Sequence, residues 1–352
     1  MPKTYHEQID QENMEKLWEI EKKLPRFAAQ YFRGTENSTA SRTRLSYAYD
    51  LELFFEYIKN NNPLYKETPI TNLPIEVLDQ IDVNDIEEYL DRIKIYEKDE
   101  VKRTNHEKGI KRKLSSLRSF YNYFYRQQKI KTNPASLVKS PKQHEKPIIR
   151  LEPNEVSTLL DLVESGDKLT KSQRVYHNKT AARDLAILTL LLGTGIRVSE
   201  CVGINLDDID FDNVGIKIHR KGGYDAIVYF GDEVEDALFA YLEERECIEA
   251  MPGHEDAFFL SIQKKRISVR AVEKLVQKYS QQLTTLKHIT PHKLRSTYGT
   301  NLYRETGDIY LVASVLGHKD VNTTRRHYAA QDEENRRLAR NKVILREDHN
   351  DQ

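Results

Sequence analysis

Six side chains in the second half of the chain have the types that phosphoryl transfer needs: Arg197, Lys221, His292, Arg295, His318 and Tyr328, in that order. Guanidinium groups fork two oxygens of a phosphate, and imidazole and ammonium move protons near neutral pH. A phenol is a nucleophile once its proton is taken, and with an ordinary pKa near ~10 it needs strong activation at the phosphate. No acidic metal-binding cluster and no Gly-rich nucleotide loop accompanies the six. The set predicts attack of a tyrosine on a phosphodiester, with no metal and no cofactor.

Each position also has an ordinary reading. Arg197 stands in G-T-G-I-R-V-S-E at an expected helix start, with Glu200 one turn in. A surface Arg–Glu pair is the commonest fate of such residues, and the other five boxes in register are what favour a phosphate clamp. Lys221 sits between Arg220 and Gly222-Gly223 at the tip of an expected hairpin, where a lysine ordinarily serves solubility. Mobile glycines would let its ammonium reach a departing oxygen and protonate it; Arg220, the obvious rival, has too high a pKa to donate. His292 and Arg295, at i and i+3 after Pro291, should project from one face of a helix's first turn. Gly317 would place His318 in a turn, and Tyr328 is one of 20 tyrosines, so its position alone recommends it.

The order Arg…Lys…His-x-x-Arg…His…Tyr resembles the tyrosine recombinase (phage-integrase-type) family, from about residue 150 to Tyr328. The likeness runs on, more weakly, through S-R-T-R-L-S-Y-A-Y-D-L-E-L-F-F-E-Y and K-R-K-L-S-S-L-R-S-F-Y-N-Y-F in the first half. The layout is most like the Xer branch, with no three-stranded arm-binding domain expected ahead of it. The long N-terminal lead is most like that branch's single-recombinase XerS group. The resemblance implies that Arg197 and Arg295 clamp the scissile phosphate, that His318 adds a hydrogen bond to it, and that His292 either bonds to the phosphate or assists the nucleophile. It makes Lys221 the general acid and Tyr328 the nucleophile of a 3′-phosphotyrosyl intermediate. Tyr328 lies ten residues after His318, one more than the family's commonest spacing, and His327 occupies the usual place.

What positions these residues is a largely helical chain. Leu51, Phe54, Phe55 and Ile58 share one face of a helix from about Thr43. Leu114, Leu117, Phe120, Tyr121 and Phe124 do the same for a second helix spanning about Asn105 to Gln127. Leu17, Ile20 and Leu24 line an amphipathic lead helix, and Val83 to Ile86 open a short one with Asp85 as the expected cap. The four prolines between Asn133 and Pro153 predict an extended linker, after which L-E-P-N-E-V starts a new helix. The only strand signal is the alternation over Val214–His219 and Ala226–Phe230. The expectation is a mainly α protein: a helical N-terminal core-binding domain over residues 1–143, a linker over 144–153, and an α-rich catalytic domain with a small antiparallel β-sheet over 154–352. An apolar stripe in the tail, Leu338, Val343, Ile344 and Leu345, should pack between protomers.

Composition bounds the setting. The chain has 352 residues, 38% hydrophobic and 31% charged, long enough for two cores. Its longest apolar run, Leu185 to Leu192, is too short for a bilayer, and M-P-K-T-Y-H-E-Q lacks a signal-peptide core. Two cysteines, Cys201 and Cys247, are too few for a disulfide framework, which makes a cytoplasmic location the expectation. Lys+Arg and Asp+Glu balance at 55 each, which by itself argues against a nucleic-acid partner. The distribution reverses that argument: from Lys102 to Lys131 ten basic residues meet one acid, Glu107. Such a run is often only a solvated helix face. Beside the catalytic set it marks Lys108, Lys111, Arg112 and Arg118 as candidate DNA contacts.

The resemblance then implies a site-specific recombinase acting on double-stranded DNA as a homotetramer in the synaptic complex. A Xer likeness implies a dif-type site, resolution of chromosome dimers, and a DNA translocase of the FtsK type as partner. Two rivals remain: a mobile-element or phage integrase with the same chemistry, and a DNA-binding protein that reuses the scaffold without catalysis.

Overall fold

The computed structural model describes residues 4–98, 100–142, 149–220, 222–283, 287–318 and 320–321. The chain divides into two compact units, Met1–Lys146 and Pro147–Gln352.

The first unit runs α1 (Tyr5–Glu21), α2 (Ala28–Gly34), α3 (Ser41–Asn61), α4 (Val77–Gln80), α5 (Val83–Arg92), β1 (Ile95–Lys98), β2 (Val101–Thr104), α6 (Glu107–Arg126) and α7 (Pro134–Leu137). The apolar stripes expected for the lead helix, α3 and α6 are all buried, and they meet in one core. Phe27 packs against that core, edge-on to Phe55 and Phe124, in the offset geometry that the ring quadrupole favours. Leu24 belongs to the core but follows the end of α1.

Three local expectations change. The cap of α5 is Asp82, whose side chain accepts the Asp85 N–H at 2.9 Å while Asp85 accepts the Asp82 N–H in return. Asp85 is therefore the third helical residue of a capping box. The antiparallel hairpin β1–β2, with Ile95 opposite Thr104, has no counterpart among the expected strands. Its strands are charged and mostly exposed, so they carry no apolar alternation to detect. Finally, the stretch after Asn133 begins as structure, not linker. Asn133 caps α7, Ala135 and Val138 are buried, and Arg118 of α6 donates to the carbonyls of Ala135 and Val138 and to Ser140 Oγ.

The second unit runs α8 (Pro153–Ser165), α9 (Lys171–His177), α10 (Ala181–Thr194), α11 (Val198–Gly203), β3 (Ile209–Asp210), β4 (Gly215–Arg220), β5 (Tyr224–Tyr229), α12 (Asp232–Glu246), α13 (Val269–Leu283), α14 (Pro291–Thr306) and α15 (Ile309–Leu316). Helix α10 is apolar on every side through its second half, so that part must be surrounded. It packs against α8, α12 and α14, and Ala186 to Leu191 are buried without a break. The antiparallel sheet β3–β4–β5 pairs Ile216 with Val228 and ends at Arg220 opposite Tyr224. Leu151, just ahead of α8, is fully buried, and its N–H reaches Thr297 Oγ1 at 3.0 Å. Cys201 is buried in α11, and desolvation pushes its thiol up, as expected of an inert small hydrophobe. No described helix is long and apolar enough to cross a membrane.

Candidate active site

Helix α10 ends on Gly195 in the left-handed region, φ 63°. A side chain there would run into Tyr298 and Leu316, so glycine is the residue that lets this turn close. The turn delivers Arg197 to the N-cap of α11. Glu200 accepts the Arg197 backbone N–H at 2.7 Å with one oxygen and Arg197 Nη1 at 2.7 Å with the other. The Arg–Glu pair is thus real, but it is no surface pair: the Glu200 side chain is 2% exposed and that of Arg197 31%. The buried carboxylate orients a guanidinium that still reaches solvent.

Arg295 comes from a different helix, α14. Pro291 occupies the first turn of α14, and the helix buries Pro291, Leu294, Arg295 and Thr297. Arg295 donates from Nη1 to the Gly195 carbonyl at 2.5 Å and from Nη2 to the Leu316 carbonyl. These bonds fix the plane of the guanidinium. His292, one turn earlier, is exposed, so the two residues share a helix side without sharing an environment. Positions i and i+3 differ by about 60° around the axis, enough to straddle the edge of the core.

The third component is the end of α15. Gly317 takes φ 62°, and the N–H groups of Gly317 and His318 turn back to Ser314 and Ala313, both at 2.9 Å. His318 thereby sits half-buried just past the helix. Three successive carbonyls of this turn each accept from a different arginine: Val315 from Arg220 Nη2 at 2.9 Å, Leu316 from Arg295, and Gly317 from Arg197 Nη2 at 3.4 Å. Arg197, Arg295 and His318 are therefore gathered at one turn. Lys221 and Tyr328 lie outside the described residues, as does the tail after Tyr328.

Arg220, at the end of β4, is a partner of this turn that sequence reasoning weighs only as a proton donor, and so misses. A signal for it exists: Ile216 and Ile218 point inward, and the two-residue period of the strand carries Arg220 inward after them. Among the described residues, no group of three or more His, Cys, Asp or Glu is arranged to hold a metal ion.

The candidate DNA contacts on α6 divide. Lys108, Lys111 and Arg112 are exposed, but Arg112 Nη1 also holds Asp50 at 2.6 Å. Asp50 is 2% exposed and takes a second cation, Lys113, at 3.4 Å. Burial raises the Asp50 carboxyl despite both cations, and burial lowers the Lys113 ammonium, so this pair is held against a desolvation cost. Arg118 is occupied by the α7 segment.

The fold and this arginine-lined turn define a class. The Phage integrase family model matches residues 150–335, and the model for the phage integrase N-terminal SAM-like domain matches residues 29–128. The chain belongs to the phage integrase family, the tyrosine recombinases, and is an enzyme of that site-specific recombinase class. Its relatives include the tyrosine recombinase XerC of Caldanaerobacter subterraneus subsp. tengcongensis, 35% identical over 90% of this chain and 85% of that protein. They also include XerS of Lactococcus lactis subsp. cremoris, 28% identical over 89% and 93%. Among solved structures, the XerH recombinase bound to a palindromic difH substrate superposes with a TM-score of 0.64 at 20% identity, over 85% of this chain and 80% of that one.

Proposed function

We propose that the protein resolves chromosome dimers by cutting and rejoining DNA at a dif-type site. Tyr328 Oη attacks the scissile phosphorus, a P–Oη bond forms and the P–O5′ bond breaks. The phenolic proton passes to His292, directly or through water, and Lys221 gives a proton to the departing 5′-oxygen. The 5′-hydroxyl so formed attacks the phosphotyrosine of a partner duplex, which restores the phenol. The phosphotyrosyl bond keeps the energy of the original diester, so neither ATP nor Mg²⁺ is needed for resealing. Arg197 and Arg295 stabilise the charge that grows on the non-bridging oxygens, and His292 and His318 add hydrogen bonds there.

The observation that carries the reading is the convergence of Arg197 and Arg295 on the turn that presents His318. A guanidinium oriented in advance by fixed carbonyls and a buried carboxylate has little reorganisation left to do in the transition state. The names of the relatives support a Xer role, and the XerH–difH complex supports a dif-type substrate. In this reading the chain works in the cytoplasm as a homotetramer in the synaptic complex, with a DNA translocase of the FtsK type as partner. Lys108, Lys111 and Arg112 meet the DNA backbone.

The test is a nicked suicide substrate carrying a dif-type site, incubated in EDTA without nucleotide. A covalent adduct resistant to denaturant is expected. Cutting that requires added metal would overturn the mechanism.

A further inference from the structure

We infer that Arg220 is a positioning residue for the phosphate clamp, acting by holding the turn on which Arg197 and Arg295 converge. The inference rests on the reading of those two arginines as the clamp. Four observations carry it.

Arg220 is the last residue of β4 and only 6% of it is exposed, although it bears a full charge at the inward position that continues Ile216 and Ile218. Its Nη2 donates to the Val315 carbonyl at 2.9 Å, ninety-five residues away in the chain. Its guanidinium fills the space where any side chain at position 317 would stand, so the left-handed Gly317 and the arginine are fitted to one another. Its Nη1 is buried and has no hydrogen-bond partner among the described residues.

An apolar residue at this inward position would avoid stranding a charged donor. The guanidinium is nevertheless there, and it grips the residue next to the two carbonyls that hold Arg295 and Arg197. Three guanidinium groups thus surround one turn, with the Glu200 carboxylate bound to one of them. Release of Val315 would let the turn shift, and both clamp arginines would shift with it. A displacement of about 1 Å at such a site costs on the order of 100-fold in rate.

The experiment compares single-turnover cleavage of two suicide duplexes by the full-length protein. One has an ordinary scissile phosphodiester. The other has a methylphosphonate, in which a methyl group replaces one non-bridging oxygen and removes the charge the clamp neutralises. Arg220→Ala is expected to slow the phosphodiester about 10- to 100-fold and the methylphosphonate far less, the same pattern as Arg197→Ala and Arg295→Ala. Arg220→Lys keeps a cation in the same volume, protects the fold if the alanine variant unfolds, and should show the pattern in milder form. Equal slowing on both substrates would mean that Arg220 only supports the fold, and would overturn the inference. If Arg197→Ala and Arg295→Ala themselves slow both substrates equally, the clamp reading fails and Arg220 falls with it. If those two discriminate and Arg220→Ala does not, only the Arg220 assignment falls.

Discussion

Arg295 Nη1 lies 2.5 Å from the carbonyl oxygen of Gly195, a residue one hundred positions earlier in the chain. That bond ties the first turns of α14 to the turn that releases Arg197. The second arm of the same guanidinium holds Leu316, at the end of the helix that precedes His318. One buried side chain thus sets the spacing of three segments that no local interaction could hold together. A planar fork of fixed geometry is what allows one residue to do this.

Arg295→Lys keeps the charge and loses the fork. Cleavage is expected to fall nearly as far as for Arg295→Ala, by about 10²- to 10³-fold, the loss typical of one transition-state donor. Stability should also drop by about 1–3 kcal/mol, because a buried carbonyl is left unmet. A lysine variant with near wild-type cleavage would show that charge alone suffices.

Tyr328→Phe removes one oxygen and almost no volume, so folding and DNA affinity should persist while the covalent adduct disappears. Peptide mapping of adduct trapped by the parent chain reads the attachment site directly. His327→Ala, at the family's more common spacing, should reduce the rate at most. DNA found on any residue but Tyr328 would show the assignment to be wrong.

The basic residues of α6 should separate by role. Neutralising Lys108 and Lys111 together is expected to weaken DNA binding and to flatten the slope of log K against log salt, by about 0.9 for each phosphate no longer neutralised. Thermal stability should not change. Arg118→Ala should do the reverse, lowering the melting temperature of the first unit, because Ala135, Val138 and Ser140 lose their donor. A lower salt slope for Arg118→Ala at unchanged stability would contradict this division.

Acid should weaken the second unit through Glu155. Burial alone would raise this carboxyl, but the Lys287 ammonium at 2.5 Å and the Glu152 N–H at 2.7 Å outweigh it and hold the group below its ordinary 4.5. A folded-state pKa below the unfolded one contributes stability that is fully present above the unfolded value. It is lost as pH falls through the folded one. The urea midpoint of the parent chain should therefore drop more steeply than that of Lys287→Met as pH is lowered below about 4.5. Parallel curves would mean that the ion pair is screened by solvent.

Much of this molecule is decided locally and could be seen in the amino-acid order. The faces of α3 and α6, the apolar run of α10 and the β4–β5 hairpin follow from periodicity and from where prolines and glycines fall. The types and order of the candidate chemistry-bearing residues are likewise properties of the chain itself. Other features depend on partners far off in sequence. Nothing around Arg118 announces that it will be spent on α7, and nothing around His292 says that it will stand outside the core that takes Arg295. The hairpin β1–β2 pairs through backbone groups that carry no side-chain signature. Above all, Val315, Leu316 and Gly317 become acceptors for three arginines only once β4, α11 and α14 have packed around the end of α15. A hydrogen bond between residues 21 to 120 positions apart is a property of packing, and only the tertiary structure could decide it.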